Sequence, residues 1–444
     1  MTTLSKKLIY DILDKRILFK TKEELIYYLK LTKDRFFKYS INSKNELGND
    51  KYINPLQWQL GHITFFYSNL VLKNLKNCKN IDYIENYNNL VNFYDSFKTP
   101  IDYRNSNSNK YLLLSSEEIY KLYDEIIHIL IDYIKSQFIS NVESYLIFIG
   151  ILHNEMHNEA FIFSKLSLTN FINFEITICN EELIENINFI NYDGGNFKQG
   201  IDDNCKFLIF DNERPSFDKK INKFQISKYK ITEYQFIQFI KDGGYKKKNL
   251  WCINGWLWKE KNNINLPLYW NYKNDHYYKL INNQLISVYT NLPIVNISYY
   301  EAKAFCNWSG GRLPLEEEYE YSATNEGTTF FPWGNDFEKI KKCNLNYKTY
   351  IKSVKFGNEC NNKKGMSQLI GNVWEWCEES IYPYDGFKID PVYREMSYPF
   401  FGFKKICKGG CFAVPDFLIH PKYRNAQYPD CRIQFIGFRI CKDV

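Results

Sequence analysis

The sequence predicts two domains, an N-terminal all-α four-helix bundle and a C-terminal α+β domain with much irregular structure. The chain has 444 residues, which is more than one hydrophobic core usually holds. Apolar residues recur at helical spacing up to about residue 170. Beyond that point alternating segments such as residues 174–178 appear, with glycines, tryptophans and turn signals. We therefore expect a bundle at residues 1–170, a linker at 171–187 and a second domain at 188–444.

Composition and charge argue against several classes of protein. The net charge is +6, but the lysines are spread evenly, which favours a solvated surface over nucleic-acid binding. The first residues carry charge, and no apolar run approaches the roughly 18 residues of a membrane span. The 12 cysteines form no Cys-x-x-Cys pair, so we expect free thiols in a reducing cytosol. The expected protein is cytoplasmic, with no nucleic-acid or membrane partner.

The helices of the first domain have recognisable starts. Two helices are expected before about residue 45, and the last runs from about 140 to 167 without a proline. Between them, residues 73–112 form a long connection, a kind of segment that is often functional. The starts are marked by capping or helix-opening residues: Thr21 with Glu24, Pro55, and Ser115 or Ser116 with Glu118.

Histidine is scarce, with six in the chain, so its placement is informative. His153 and His157 lie four residues apart in the last helix, where both imidazoles can reach one metal ion. His62 lies in the helix that Pro55 opens. A zinc peptidase would have Glu directly after the first histidine, where this chain has Asn154, so that class is excluded. Two core histidines remain the alternative to a metal site.

The second domain is predicted to contain two clear helices, at residues 232–241 and 298–309, each ending before a Gly-Gly pair. Its short motifs include residues 210–215 (FDNERP), 311–321 (GRLPLEEEYEY), 371–376 (GNVWEW) and 437–439 (GFR). Together these motifs resemble the formylglycine-generating enzymes, which implies a C-type-lectin-like fold. The copper-binding cysteine pair of those enzymes is missing after Cys411, which argues against that subfamily.

The first domain resembles the DinB-like bundle that precedes this module in ergothioneine-type (EgtB-like) sulfoxide synthases. The matches are residues 58–62 (WQLGH), 92–94 (NFY) and 153–160 (HNEMHNEA), together with the closing signature at 423–439. The resemblance implies an iron(II) site formed by His62, His153 and His157 with three open positions. It implies O₂ as co-substrate, cysteine or γ-glutamylcysteine as the thiol, and Nα-trimethylhistidine as the second substrate. Glu159 is a candidate acceptor for an imidazole N–H.

The same resemblance implies a tyrosine that donates a proton near the iron. Tyr94 matches the branch that uses free cysteine, and Tyr382 or Tyr384 is the alternative, since the other branch places its tyrosine after the Trp-Glu-Trp element. Arg104 lies where the family places arginines for the carboxylate of the thiol. Asn425 matches the residue that holds the carboxylate of the histidine substrate.

The closing signature departs from the family at one point that bears on substrate choice. Ala426 and Gln427 replace a pair that usually includes an aromatic residue, the natural partner of a quaternary ammonium group. Arg432 is a further candidate for binding a carboxylate, with an internal ion pair as the alternative. We expect another ring to supply the missing aromatic face: Tyr384, Trp58 or Trp376.

Other functions remain open on sequence grounds. The chain could join cysteine to unmethylated histidine, as in ovothiol synthesis, or use a selenium donor. It could be a non-catalytic binding module with a relic metal site. A zinc-dependent thiol transferase is disfavoured by the long second domain. The relatives also allow a structural Ca²⁺ in the second domain, although no ligand loop is legible. In the favoured interpretation, the partners are small-molecule substrates.

Overall fold

A computed structural model describes residues 20–40, 51–76, 78, 92–104, 114–178, 180–202 and 207–444 of the chain. The chain forms two compact units. The first comprises Met1–Thr169 and two short segments from later in the chain, Asp203–Leu208 and Asp390–Arg394. The second comprises Asn170–Asp202, Ile209–Ile389 and Glu395–Val444. None of the described helices combines the length and the apolar character that crossing a membrane requires.

In the residues that the structure describes, all regular structure of the first unit is helical. Leu56–Phe66 continues directly into a π-helical turn at Tyr67–Val71, and a short 3₁₀ turn lies at Asn92–Tyr94. The α-helices of this described part are α1 Lys22–Ser40, α2 Leu56–Phe66, α3 Ile101–Arg104, α4 Ser116–Ser136 and α5 Asn141–Thr169.

The predicted helix starts are confirmed where the structure describes them. The backbone N–H of Glu24 donates to Thr21 Oγ1 over 3.1 Å, and the N–H of Thr21 donates to Glu24 Oε2 over 2.8 Å. Ser115 and Glu118 form the same reciprocal capping box at the start of α4. Pro55 precedes α2 as expected. The helix predicted before Thr21 lies outside the described residues.

Helix α5 runs through the core of the first unit. It packs against α1 and α2, and both of those helices also pack against α4. Buried residues lie on every side of α5, from Val142 to Leu166, so it has no wide polar face. Helix α4 is amphipathic instead, with a buried stripe that includes Ile119, Ile126 and Leu130. The metal-ligand candidates on α5 are therefore set inside the unit rather than on its surface.

The second unit contains four helices and four small sheets in its described part. The helices are α6 Glu233–Lys241, α7 Ile253–Lys261, α8 Tyr299–Trp308 and α9 Glu316–Ala323. The strands are β1 Phe189–Tyr192, β2 Gly195–Gln199, β3 Phe217–Ile221, β4 Phe224–Ser227, β5 Trp270–Lys273, β6 His276–Ile281, β7 Gln284–Ser287, β8 Trp374–Ser380, β9 Lys405–Lys408, β10 Asn425–Gln427, β11 Ile436–Phe438 and β12 Cys441–Asp443. The sheet orders are β1-β4-β12, β10-β9-β8-β11, β2-β3 and β5-β6-β7.

Strand β8 is central to the second unit. It pairs antiparallel with β9 and parallel with β11. Trp374 and Trp376 are both buried, and between them Glu375 forms buried ion pairs with Arg439, at 2.8 Å, and Lys230, at 3.2 Å. Burial lowers the pKa of Lys230 to about 8, while Glu375 acts in the opposite direction. The Trp-Glu-Trp motif therefore builds the core of this unit.

The two helices predicted for the second domain are confirmed as α6 and α8, but α7 and α9 are additional. Helix α9 escapes a search for apolar periodicity because its sequence is EEEYEYSA, and its glutamates Glu316, Glu318 and Glu320 are buried. Glu316 is paired with Arg424, and Glu320 with Lys408. A helix whose buried face carries paired carboxylates shows no apolar stripe.

Glu379 on β8 should make the stability of the protein depend on pH. Burial, and then the carboxylates of Glu316 and Glu317, raise its pKa from 4.5 to about 8. The folded protein therefore keeps a proton that the unfolded chain loses, so this group's contribution to stability falls as the pH rises from 4.5 to about 8. The backbone N–H of Glu316 donates to Glu379 Oε2 over 3.0 Å, and glutamine at position 379 keeps an oxygen that can accept this bond. We expect Glu379→Gln to flatten this slope.

Thermal unfolding of both proteins in steps between pH 5 and pH 8 measures the slope. The melting temperature of the unaltered protein should fall relative to that of the variant across this interval. A difference in melting temperature between the two proteins that stays constant from pH 5 to pH 8 would contradict the prediction.

Candidate metal centre

Three histidines from two helices meet inside the first unit. His153 and His157 lie on the same face of α5, with ring centroids 4.7 Å apart. His62 on α2 faces both, at 5.0 and 5.1 Å. One ring nitrogen from each lies within 4.8 Å of the others. Two nitrogens bound to one ion at about 2.1 Å lie at most about 4.2 Å apart, so binding an ion needs only small shifts.

The backbone sets the tautomer of His62. Its Nδ1 lies 2.7 Å from the carbonyl oxygen of Tyr94. A carbonyl oxygen only accepts, so Nδ1 carries the proton and Nε2 keeps its lone pair. The ring also stacks on Trp58, with centroids 4.9 Å apart and planes at 12°, and Trp58 Nε1 donates to the carbonyl of Phe93 over 2.9 Å. One nitrogen of His62 is thereby oriented and left free to bind a metal.

Gln59 does the same for His157. Its Oε1 lies 3.4 Å from His157 Nδ1, while its Nε2 donates to the carbonyl of Asn54 over 3.1 Å. The bond to Asn54 orients the Gln59 amide: its NH₂ group faces the Asn54 carbonyl, so its oxygen faces the His157 ring. The oxygen of Gln59 then accepts from Nδ1 of His157, so Nε2 of His157 keeps its lone pair. Helix α2 thus supplies one candidate ligand and orients another.

His153 is held by aromatic rings. It stacks on Phe66 with centroids 3.8 Å apart and planes at 9°, and it meets Tyr393 edge to face at 5.6 Å. Within the described part of the chain, its Nδ1 is buried and has no hydrogen-bond partner. A buried polar atom without a partner is costly, and a bound ion or water would satisfy it. This observation fits a metal site.

The three imidazoles are uncharged at neutral pH. Burial lowers the pKa of His62 to about 4. Burial, and then the neighbouring histidines, hold the pKa of His153 well below its usual range, and burial, His62 and Arg104 do so for His157. A metal binds the neutral ring, so no proton has to be displaced before an ion enters. Within the residues the structure describes, this is the one cluster of three or more His, Cys, Asp or Glu side chains close enough to share an ion.

The opposite side of α5 is fixed by buried polar contacts. Glu155 accepts from Thr32 Oγ1 over 2.7 Å and from Arg35 Nη1 over 2.9 Å. Asn154 Oδ1 accepts from the hydroxyl of Tyr123 over 2.7 Å. Both residues are fully buried. Because they lie between the two histidines in sequence, these contacts fix the rotation of α5 and therefore the direction of both imidazoles.

Two other predicted residues lie in the first unit near this centre. Glu159 is 7% exposed, so it is not an exposed helix carboxylate, and its bond to an imidazole N–H stays a prediction. Tyr94 is buried, and its hydroxyl accepts from the N–H of Leu114 over 2.9 Å. Burial raises the pKa of Tyr94. Its observed link to the centre is the carbonyl that binds His62.

Gly61 leaves room for the Tyr94 ring, and Gly61→Ala should damage the centre. An added Cβ would lie 2.0 Å from Tyr94 Cε1, so the ring must shift, and we expect the carbonyl of Tyr94 to shift with it, away from His62. We expect metal affinity to fall about 10–100-fold, the usual effect of losing the contact that orients a ligand. Metal titration measures this. Tyr94→Phe is the matched control because it keeps ring and carbonyl, and equal affinity in Gly61→Ala and Tyr94→Phe would contradict the prediction.

Arg104 is engaged within the chain. Its Nε donates to the carbonyl of Thr99 over 2.6 Å, its Nη1 to Asn54 Oδ1 over 3.0 Å and its Nη2 to the carbonyl of Ser96 over 2.8 Å. Its guanidinium lies 4.0 Å over the Trp58 ring. Arg104, Trp58 and His62 thus form a stack. These contacts give no direct support to the predicted role in binding the carboxylate of the thiol.

The remaining predicted residues belong to the second unit. Trp376 is fully buried, so no face of its ring is accessible to a substrate. Arg432 forms an ion pair with Glu301, with Nε and Oε2 3.0 Å apart, which is the alternative that the sequence left open. Asn425 and Gln427 are half-buried in β10. Of the alternative tyrosines, Tyr382 is 60% exposed, and the half-buried Tyr384 has its hydroxyl 3.2 Å from Glu316 Oε1 and its ring under Arg424.

Sequence reasoning missed Tyr393. It belongs to the Asp390–Arg394 segment of the first unit, is 7% exposed, and packs against His153 and Phe66, the latter at 5.2 Å. The chain has 36 tyrosines, and no local pattern marks this one. The available signal is the tyrosine that the resemblance places after the Trp-Glu-Trp element, for which the sequence points to Tyr382 or Tyr384.

Comparisons with known proteins agree with the resemblance seen in the motifs. A family model described as a sulfatase-modifying factor enzyme 1-like domain matches residues 179–444. Hercynine oxygenase of Mycobacterium tuberculosis is 29% identical over 259 residues, which is 56% of this chain and 59% of that protein. The hercynine oxygenase of Mycolicibacterium smegmatis is 28% identical over 264 residues, covering 56% and 60%. The chain thus matches less than two thirds of the length of these curated relatives.

Solved structures add a more distant likeness. PvdO from Pseudomonas aeruginosa is 18% identical, with a TM-score of 0.40, over 58% of this chain and 94% of that chain. The predicted similarity to ergothioneine-type synthases is confirmed by the two hercynine oxygenases, and the predicted type of second domain by the family model.

Proposed function

The chain belongs to the sulfatase-modifying factor enzyme 1-like family, and from this membership and its similarity to hercynine oxygenases we propose that it is an O₂-dependent sulfoxide synthase. The enzyme joins the sulfur of cysteine or γ-glutamylcysteine to the imidazole of Nα-trimethylhistidine, a step of ergothioneine biosynthesis. The product carries a new C–S bond with the sulfur as sulfoxide. A mononuclear non-haem iron(II) ion is the cofactor, and the protein acts in the cytoplasm.

The histidine trio carries this proposal. Three neutral imidazoles with ligand atoms within 4.8 Å of one another suit a divalent first-row metal. A bound iron(II) ion would hold the thiolate and activate O₂. We assign the ligands to His62, His153 and His157. We further assign the first unit to the DinB-like four-helix bundles, with α1, α2, α4 and α5 as the four helices.

Residues around the trio have separate roles in the proposed reaction. The Tyr94 carbonyl and Gln59 hold protons at Nδ1 of His62 and His157, which presents both Nε2 atoms to the ion. Trp58 and Phe66 stack on the ligands and exclude water from them. We assign the proton-donating tyrosine to Tyr393, supported by its buried ring beside His153. Tyr94 is the alternative proton donor. Its hydroxyl oxygen accepts from the backbone N–H of Leu114.

Oxygen uptake by anaerobically iron(II)-loaded protein tests the proposal. Trimethylhistidine is supplied with cysteine or, separately, with γ-glutamylcysteine, and product masses are recorded alongside. Uptake that requires both substrates and yields a joined sulfoxide mass is the expected result, and it names the thiol. No uptake with any substrate pair, in folded protein that binds iron, would overturn the proposal and favour a relic metal site.

A related reaction is the second candidate, because Ala426 and Gln427 in β10 offer no aromatic face to a quaternary ammonium group. In this alternative the substrate is unmethylated histidine, as in ovothiol synthesis, or the donor contains selenium. The oxygen-uptake assay is repeated with unmethylated histidine and with a selenium donor. The substrate pair that supports uptake then decides between the candidates.

A further inference from the structure

A segment from late in the chain completes the surroundings of His153. Asp390–Arg394 belongs to the first unit although it lies far from the helices in sequence. Asp390 and Tyr393 are both buried, at 3% and 7% exposure. The segment places the Tyr393 ring against Phe66 and His153. It therefore needs an anchor that fixes its position on the helical unit.

That anchor is a hydrogen bond from α5 itself. Tyr145, which is 3% exposed, donates its hydroxyl to Asp390 Oδ2. Tyr145 lies on α5 a little over two turns before His153, so one rigid helix holds both the anchor and the candidate ligand. The contact joins one short segment to the helix that carries two of the three histidines.

The other oxygen of Asp390 shapes the segment. Asp390 Oδ1 accepts from the backbone N–H of Val392 over 2.8 Å and from that of Tyr393 over 2.9 Å. A carboxylate that bonds to N–H groups two and three residues ahead closes a tight turn. One oxygen thus fixes the backbone of Tyr393, and the other fixes the turn to α5. Position and conformation of Tyr393 depend on the same side chain.

We propose that Tyr145 and Asp390 are positioning residues that fix Tyr393 beside the metal centre, and we call this pair the Tyr145–Asp390 latch. A buried phenol and carboxylate are costly to desolvate, and apolar side chains would hold a segment in the core without that cost. A hydrogen bond, however, fixes distance and direction, which apolar packing does not. The role of the latch in turnover rests on the proposed function, but the positioning of Tyr393 does not.

Hydrogen exchange of the metal-free protein tests the positioning directly. Tyr145→Phe removes only the donor hydroxyl, and Asp390→Ala removes the acceptor of both backbone N–H groups. We expect the amides of Val392 and Tyr393 to exchange about tenfold faster in either variant, as loss of a buried hydrogen bond predicts. Tyr398→Phe is the matched control because its ring is 57% exposed, and exchange in the segment should not change. Unchanged exchange in both latch variants would overturn the proposal.

The holoenzyme gives a second readout that a merely structural contact would not move. With both substrates, Tyr145→Phe should lower the yield of joined sulfoxide per O₂ consumed, in the same direction as Tyr393→Phe, with iron affinity unchanged. The double variant Tyr145→Phe/Tyr393→Phe should be no worse than Tyr393→Phe, because the latch acts through that tyrosine. If the losses of the two single variants added up in the double variant, Tyr145 would not act through Tyr393, and the proposal would be refuted. If no substrate pair reacts, the proposed function fails while the exchange experiment still decides the latch.

Discussion

Replacing His157 with alanine should abolish specific iron(II) binding and any turnover that depends on it. The side chain is one of the three that bring a ring nitrogen within 4.8 Å of one another, and two imidazoles cannot replace the third. We expect the affinity to fall by more than the roughly 10–100-fold that loss of a supporting contact costs. His157 is the ligand of choice for this test because it is the half-buried member of the trio. We therefore expect its truncation to disturb the core less than truncation of His62 or His153 would.

Anaerobic titration with iron(II), or with cobalt(II) as a spectroscopic probe, measures the effect. His128→Ala is the matched control, since His128 lies exposed on α4 and should not affect binding. A His157→Ala protein that binds one equivalent of metal as tightly as the unaltered chain would refute the assignment of the trio.

Glu155→Ala should cost the first unit a large part of its stability. The carboxylate is fully buried and is bonded to Arg35 at 2.9 Å and to Thr32 at 2.7 Å. Its removal leaves the Arg35 guanidinium, 10% exposed, without this counter-ion, and breaking such a buried pair typically costs about 3–5 kcal/mol. The two histidines on α5 flank Glu155 in sequence, so the same change should also weaken metal binding.

Chemical denaturation followed by the helical circular dichroism signal measures the loss. Glu155→Gln keeps an acceptor for Thr32 but not the charge. Its loss of unfolding free energy should therefore be smaller than that of Glu155→Ala but not zero. Glu117→Ala, at an exposed position on α4, should change stability by only a few tenths of a kcal/mol. Equal stability of Glu155→Ala and Glu117→Ala would contradict the prediction.

The pair His153 and His157 could be predicted because its signal is local, whereas His62 joins the pair through the resemblance of residues 58–62. Two histidines four residues apart on a helix point the same way whatever surrounds them, and few other histidines compete for attention. Helix starts at Thr21, Pro55 and Ser115 were likewise readable from capping chemistry, which involves only a few neighbouring residues.

The surroundings of the trio could not be predicted in the same way. The contact between His62 and Tyr94 runs through a backbone carbonyl, which no side-chain pattern marks. Arg104 looked available for a ligand because a sequence does not show that carbonyls of its own connection bind it. Tyr393 reaches His153 through the tertiary fold alone. Helix α9 was hidden because its inward face carries paired carboxylates in place of apolar side chains.

The membership of Asp390–Arg394 in the first unit has a consequence for how the protein is made. A ribosome releases the helices early, but about nine tenths of the chain must emerge before Tyr393 is available. Iron that entered the nascent helices would meet a centre without Tyr393, the residue to which we assign proton donation. An N-terminal fragment ending near residue 170 would be in the same state permanently. We expect such a fragment to be the wrong reagent for assaying the enzyme, however well it folds.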